Sequence, residues 1–80
     1  MNTLIKKLEF SDKIYIYLDS QDILTVPYSY TQRLQNAAKD TLKNYRLIGG
    51  GIGVHFEDID EDISLKGIIS YKLKHDLQAS

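Results

Sequence analysis

Glu57, Asp58, Asp60, Glu61 and Asp62 put five carboxylates into six consecutive positions, and His55 stands two residues before the first of them. Side chains of these types could do two kinds of chemistry. Asp58, Asp60 and Asp62 alternate as the first three ligands of an EF-hand calcium loop do, where the side chains converge on the ion. The pattern then fails: Ile63 stands where that loop needs glycine, and Ile69 where it needs a bidentate carboxylate. The competing expectation is structural, with the acids preceding a helix and favouring its positive N-terminal end, each by about 0.3–1 kcal/mol. His55, between Val54 and Phe56 in a strand-like run, can share a face with Glu57, and a carboxylate neighbour would raise its basicity enough for a general base. No nucleophile or oxyanion site accompanies it beyond Ser64 and Ser70. A histidine hydrogen-bonded to a neighbouring strand or to the acidic turn is therefore the expected role.

Gly49, Gly50, Gly51 and Gly53 invite a phosphate-loop reading, but no Lys-Ser/Thr follows them. The third glycine of a dinucleotide fingerprint would fall on Val54 or Phe56, so a hairpin turn with positive φ is the simpler explanation. Six tyrosines occur without a tryptophan. Tyr15 and Tyr17 lie opposite the aliphatic side chains of their segment, so they either face solvent as a protein-binding surface or pack beneath a helix. The sequence leaves both open.

These residues need elements to position them. Leu4–Phe10, Lys13–Leu18 and Ile23–Val26 read as strands separated by Ser11-Asp12 and by Asp19–Asp22, an antiparallel meander ended at Pro27. In the second of these, Ile14, Ile16 and Leu18 alternate with the tyrosines. Tyr30, Leu34, Ala37, Ala38 and Leu42 share one helical face, and a break around Ala38–Thr41 would make two short helices. Tyr45–Ile48 and Gly53–Phe56 read as strands around the glycines. Leu65, Ile68, Ile69 and Leu73 predict a last helix, capped by Ser64 or Asp62. The expected fold is α+β: a small antiparallel sheet, in the chain order β-β-β-α-β-β-α, packed on one side by short helices. Its core should join Ile14, Ile16, Leu18, Leu34, Ala37, Phe56, Leu65, Ile68 and Ile69. Residues 76–80 are expected to fray.

Composition narrows the function. The 80 residues make one domain of ordinary hydrophobic content, 42%, near the lower size limit for independent folding. A net charge of −1 supplies no field to hold a phosphate backbone, which argues against nucleic-acid binding through bulk charge. Absence of cysteine excludes disulfides, thiolate metal sites and cysteine nucleophiles. Neither a membrane span nor a secretory leader is legible, so the cytoplasm is the expected compartment.

Several blocks resemble the bacterial domain-of-unknown-function family DUF 2442. They are Asn44–Ile48, Gly51–Phe56 and, most specifically, Asp60–Ile69, joined by Val26-Pro27 and by Arg33-Leu34 with Ala37. Tyr45 and Phe56 stand where the family commonly has tryptophan, and Gln32 where it has proline. The resemblance implies a small α+β domain without established enzymatic activity. It also implies relatives that are attached to helix-turn-helix modules or encoded beside small proteins in toxin–antitoxin-like pairs. With no room for a DNA-binding module, this chain is expected to stand alone as a partner-binding domain.

The reading that results is a non-enzymatic protein-binding domain, antitoxin-like or inhibitory, with no cofactor or metal. Its partner would be another protein, such as a toxin or similar neighbour-encoded product, with a homodimer left open. Tyr15, Tyr17, Tyr28, Arg33, Glu57, Asp58 and Glu61 are the candidate contacts. Gly51, Gly53, His55, Phe56, Asp60, Asp62, Ser64 and Leu65 are assigned to the motif and the scaffold. The alternative is a small metal-dependent or acid–base enzyme centred on His55 and the acidic run.

Overall fold

The computed structural model describes residues 3–78. The first strands, β1 (Ile5–Phe10), β2 (Ile14–Leu18) and β3 (Ile23–Val26), pair in that order as an antiparallel meander. The alternation in β2 sets which side is inside: Ile14, Ile16 and Leu18 are buried, while Tyr15 and Tyr17 look outward. Leu18 N–H donates to the Asp22 carbonyl at 2.9 Å, and Gln21, at a φ of 76°, closes the loop between β2 and β3.

A 3-10 turn, Tyr28–Tyr30, leads to α1 (Gln32–Asn36) and α2 (Lys39–Leu42). Thr31 caps α1, its hydroxyl accepting the Leu34 N–H at 3.1 Å. The break expected around Ala38–Thr41 lies slightly earlier, at the extended residues Ala37 and Ala38, and Lys39–Thr41 are already helical. Leu34 and Leu42, one from each short helix, are fully buried.

Beyond the helices, β4 (Tyr45–Ile48) and β5 (Gly53–Phe56) form the expected hairpin, and a sixth strand, β6 (Glu61–Ser64), joins them as a second antiparallel sheet. The α+β class and the order of elements are as the sequence indicates, but the strands divide into two sheets of three. The segment Glu61–Ser64 was expected as the approach to a helix. It pairs instead with β5, burying Ile63 and leaving Asp62 and Ser64 on the exposed side. Pairing and burial of Ile63 override the poor strand propensity of its acidic residues.

The last helix, α3, runs Leu65–Gln78, so it continues into the stretch expected to fray; residues 79–80 of that stretch lie outside the described residues. Ser64 Oγ accepts the Gly67 N–H at 2.9 Å, which makes Ser64 the cap and not Asp62. No acidic residue occupies the first turn of α3, so the expected charge–dipole role of the acidic run does not apply.

One core unites these layers. Ile5, Leu8 and Val26 of the first sheet, Val54, Phe56 and Ile63 of the second, and Leu65 and Ile68 of α3 all belong to a single buried cluster. Seven of the nine expected core residues are buried, and Ala37 and Ile69 pack against them partly exposed. Phe10 spans the sheets, its ring edge-on to Tyr45 at 6.0 Å and to Phe56 at 6.2 Å between centroids.

The glycine turn locks the two sheets together. Gly51 has a φ of 130°, and its carbonyl accepts the Ile5 N–H at 2.8 Å. A Cβ added at Gly51 would lie 2.6 Å from the Ile5 carbonyl oxygen, a contact that only backbone movement could relieve.

Two substitutions test this architecture in urea melts. Leu65→Ala should cost about 2–5 kcal/mol by emptying the α3 contact. Gly51→Ala should cost on the order of 2 kcal/mol through strained backbone and separation from β1. Near-native stability of either variant would contradict the packing described.

Candidate functional site

His55, Arg46 and Asp62 form one row across the exposed side of the second sheet, because cross-strand partners share a face. The register places Arg46 opposite His55 on β4 and Asp62 opposite it on β6. His55 Nδ1 is hydrogen-bonded to an Asp62 carboxylate oxygen. A bond to a neighbouring strand or to the acidic run is the role expected of this histidine, whereas Glu57, two residues along, is the carboxylate that a general base would have shared a face with. The strand ends at Phe56, however, and Glu57 enters a 3-10 turn over Glu57–Ile59. The carboxylate that reaches the imidazole therefore comes from the returning strand, seven residues away in sequence.

The remaining acids fan out around that turn. Asn44 Nδ2 donates to Asp58 Oδ2 at 3.0 Å, tying the turn to the residue before β4. Asp60 adopts a left-handed conformation, φ 50° and ψ 51°, which an aspartate tolerates better than most side chains. Its carbonyl accepts from Arg33 Nη1 at 2.5 Å, and the Ile59 carbonyl lies 3.4 Å from the same nitrogen. Arg33, a candidate partner contact, thus clamps the acidic turn against α1 while remaining exposed. Glu57 and Asp58 are exposed and Glu61 is half-buried. Among the described residues, no three histidine, aspartate or glutamate side chains group as a cation site would require.

A reacting group beside His55 is also missing from this arrangement. Ser64 Oγ is engaged in capping α3, and no other hydroxyl is hydrogen-bonded to the imidazole among the described residues. Gly53 lies between Ile48 and Ser64 in the neighbouring row, and a Cβ there would approach the Ile63 carbonyl to 2.8 Å. That glycine permits close strand packing and presents no cradle. In the Gly49–Gly51 turn the Gly51 N–H, like that of Ile52 after it, bonds to the Ile48 carbonyl and is not available to a phosphate. A concavity of about 420 Å³ opens elsewhere, between Leu4, Ile52, Leu65 and Ile69.

The tyrosines are placed differently. Tyr15 and Tyr17 lie on the outward side of the first sheet with Lys7, Glu9, Ile23 and Thr25, their cross-strand partners. No helix among the described residues shields this side: Ile23 is 50% exposed and both rings are partly exposed. The rings are nevertheless held. Tyr17 donates to Glu9 Oε1 at 2.6 Å and lies beneath the Lys7 ammonium at 4.8 Å, while Tyr15 donates to Asp12 Oδ1 at 3.1 Å. These bonds raise both phenol pKa values above the ordinary range and hold the Glu9 carboxyl below its own. Tyr28 sits apart, its hydroxyl donating to the Ser11 carbonyl at 2.8 Å.

Sequence reasoning gave His55 a bond to a neighbouring strand or the acidic run without singling out Asp62, and it missed Arg46 and Ile23. The choice of Asp62 depended on an unforeseen strand. Arg46 was within reach, because the length of the glycine loop fixes Ile48 opposite Gly53 and hence Arg46 opposite His55.

Comparison with known proteins accords with this fold. The DUF2442 profile, described as a protein of unknown function, matches residues 5–73. The chain belongs to the DUF2442 family. A crystal structure of a protein of unknown function from Rhodospirillum rubrum is similar at 25% identity, covering 88% of each chain with a TM-score of 0.77. The solution structure of an uncharacterized Chromobacterium violaceum protein is similar in fold at 23% identity, with a TM-score of 0.74 over 84% of this chain and 64% of that one. Among curated proteins, none matches. In this DUF2442 chain the Tyr45 hydroxyl accepts the Leu8 N–H at 3.0 Å, a role closed to the tryptophan expected there, whose indole nitrogen only donates. No described helix is long and apolar enough to cross a membrane.

The acidic turn yields a discriminating pair of variants. Asp60→Asn should leave thermal stability nearly unchanged, since asparagine also tolerates the left-handed conformation and the bond to Arg33 uses the backbone carbonyl. Asp60→Val should cost about 1–2 kcal/mol. Equal melting temperatures for the two variants would contradict the turn geometry.

Proposed function

We propose that this DUF2442 domain is a non-enzymatic protein-binding module whose contact surface is the outward side of the first sheet. The observation that carries the reading is the row of Tyr15 and Tyr17 beside the half-exposed Ile23, two aromatic rings and an aliphatic side chain on one sheet face that no described element covers. Aromatic rings contribute large contact area at low entropic cost, and here their hydroxyls are fixed by Asp12 and Glu9 before a partner arrives. An antitoxin-like or inhibitory role fits a small domain that acts by occupying a partner's surface. Glu57, Asp58 and Glu61, at the far end of the second sheet, would steer a basic partner and add little to the anchored contact.

The acid–base alternative is favoured by one observation, the His55–Asp62 hydrogen bond. Against it stand the Ser64 oxygen's role in capping α3 and the absence of both residues from the lining of the concavity at Leu4, Ile52, Leu65 and Ile69. The bond is accounted for as a cross-strand contact that secures β6.

Affinity isolation from native lysate, comparing the parent with Tyr15→Ser/Tyr17→Ser, tests the proposal. The parent should retain a protein at fixed stoichiometry, and the double variant should lose it while keeping its circular dichroism spectrum. Equal retention by both, or no stoichiometric protein on the parent, would overturn the reading.

A further inference from the structure

The two sheets have four outer strands, and their edges are not equivalent. An edge strand exposes unpaired backbone groups, and proteins usually cover it, bend it or charge it. The β1 edge is covered: Ile5 N–H goes to the Gly51 carbonyl and Leu8 N–H to the Tyr45 hydroxyl, and an irregularity interrupts its pairing around Lys6. The β4 edge carries Arg46, and the β6 edge carries Glu61 and Asp62. Self-pairing at either would bring like charges together.

The β3 edge has none of these protections. Its sequence, Ile23-Leu24-Thr25-Val26, holds no charge, no proline and no bulge before Pro27. The bond from Leu18 N–H to the Asp22 carbonyl fixes which residues face β2. By antiparallel alternation, Leu24 and Val26 direct their backbone groups to β2, and Ile23 and Thr25 direct theirs outward. Among the described residues, no hydrogen bond beyond the β2 ladder reaches Ile23 or Thr25.

We propose that β3 is the dimerisation edge, pairing antiparallel with β3 of a second copy of this chain about a two-fold axis at Leu24. This register is self-complementary. It sets Ile23 of each copy opposite Thr25 of the other, so that the outward N–H and C=O groups of both residues are satisfied reciprocally. Both side chains lie on the outward face, giving a continuous row that runs from Tyr17 through Ile23 to Thr25 and Tyr15 of the second copy. Since no charged residue lies within the strand, the two copies meet without repulsion along it. The groove beside the strand, where Leu18, Ile23, Leu24 and Ile69 line it together with the polar Ser20 and Asp22, supplies adjoining surface for the second copy. The dimer extends the tyrosine surface into a six-stranded sheet but does not require that any other protein bind there.

Light scattering over a concentration series tests the pairing on the full chain. The mass should rise towards twice the 9.2 kDa chain mass as concentration increases. Ile23→Lys/Thr25→Lys, which sets lysines opposite lysines at solvent-facing positions, should weaken self-association about tenfold or more with the spectrum of the folded monomer retained. The chain has no cysteine of its own, so a mixture of Ile23→Cys and Thr25→Cys chains reports register independently of the charge variants. Mild oxidation should join unlike chains in preference to like ones. A constant monomer mass throughout the series, a dimer indifferent to the lysines, or cross-linking without preference for unlike chains would overturn the proposal.

Discussion

The contact between Gly51 and Ile5 is the constraint on which the rest of the molecule depends. Each three-stranded meander hydrogen-bonds internally, but the apolar faces of both are buried in one shared core, so each depends on the other for its cover. The glycine turn brings the second sheet against the edge of the first, with the Gly51 carbonyl accepting the Ile5 N–H. The next residue continues the tie, because the Ile52 carbonyl accepts the Leu65 N–H and so fixes where α3 begins. From that point Leu65 and Ile68 close the core over Val54 and Phe56. A cluster that resembled a phosphate loop in sequence is thus a three-way joint between β1, the β4–β5 hairpin and α3.

How much of this could be read from sequence follows from where the decisive contacts lie. The strand Lys13–Leu18 was legible because Ile14, Ile16 and Leu18 alternate with polar-tipped tyrosines, and one face is buried throughout. Tyr45–Ile48 and Gly53–Phe56 were legible because glycines separate them at hairpin spacing. The strand Glu61–Ser64 was not. Its one inward aliphatic side chain, Ile63, gives no period, and its acids mimic the approach to a helix. That single omission concealed the site, since without β6 nothing places Asp62 beside His55. It also hid the division into two sheets. Likewise, Arg33 appeared available for a partner because its bonds go to backbone carbonyls twenty-six and twenty-seven residues away, which local spacing cannot reveal.

Chemistry-bearing residues in this chain are largely occupied by the fold itself. Asp62 secures His55, Asn44 holds Asp58, Arg33 clamps the turn at Asp60, and Ser64 caps α3. A surface of another kind remains uncommitted, tyrosine rings with fixed hydroxyls beside an uncharged strand. Binding energy there would come from burying aromatic and aliphatic area, with little conformational freedom left to lose. This difference between occupied polar groups and uncovered apolar ones is the basis for reading the domain as a binding module.

Hydroxyl-radical footprinting of the chain, alone and isolated with its native partner, tests that claim most directly. The account predicts that binding protects Tyr15, Tyr17 and Ile23 while the reactivity of His55 stays unchanged. Protection centred on His55 and the Glu57–Asp62 run, with Tyr15 and Tyr17 as reactive in the complex as in the free chain, would contradict it.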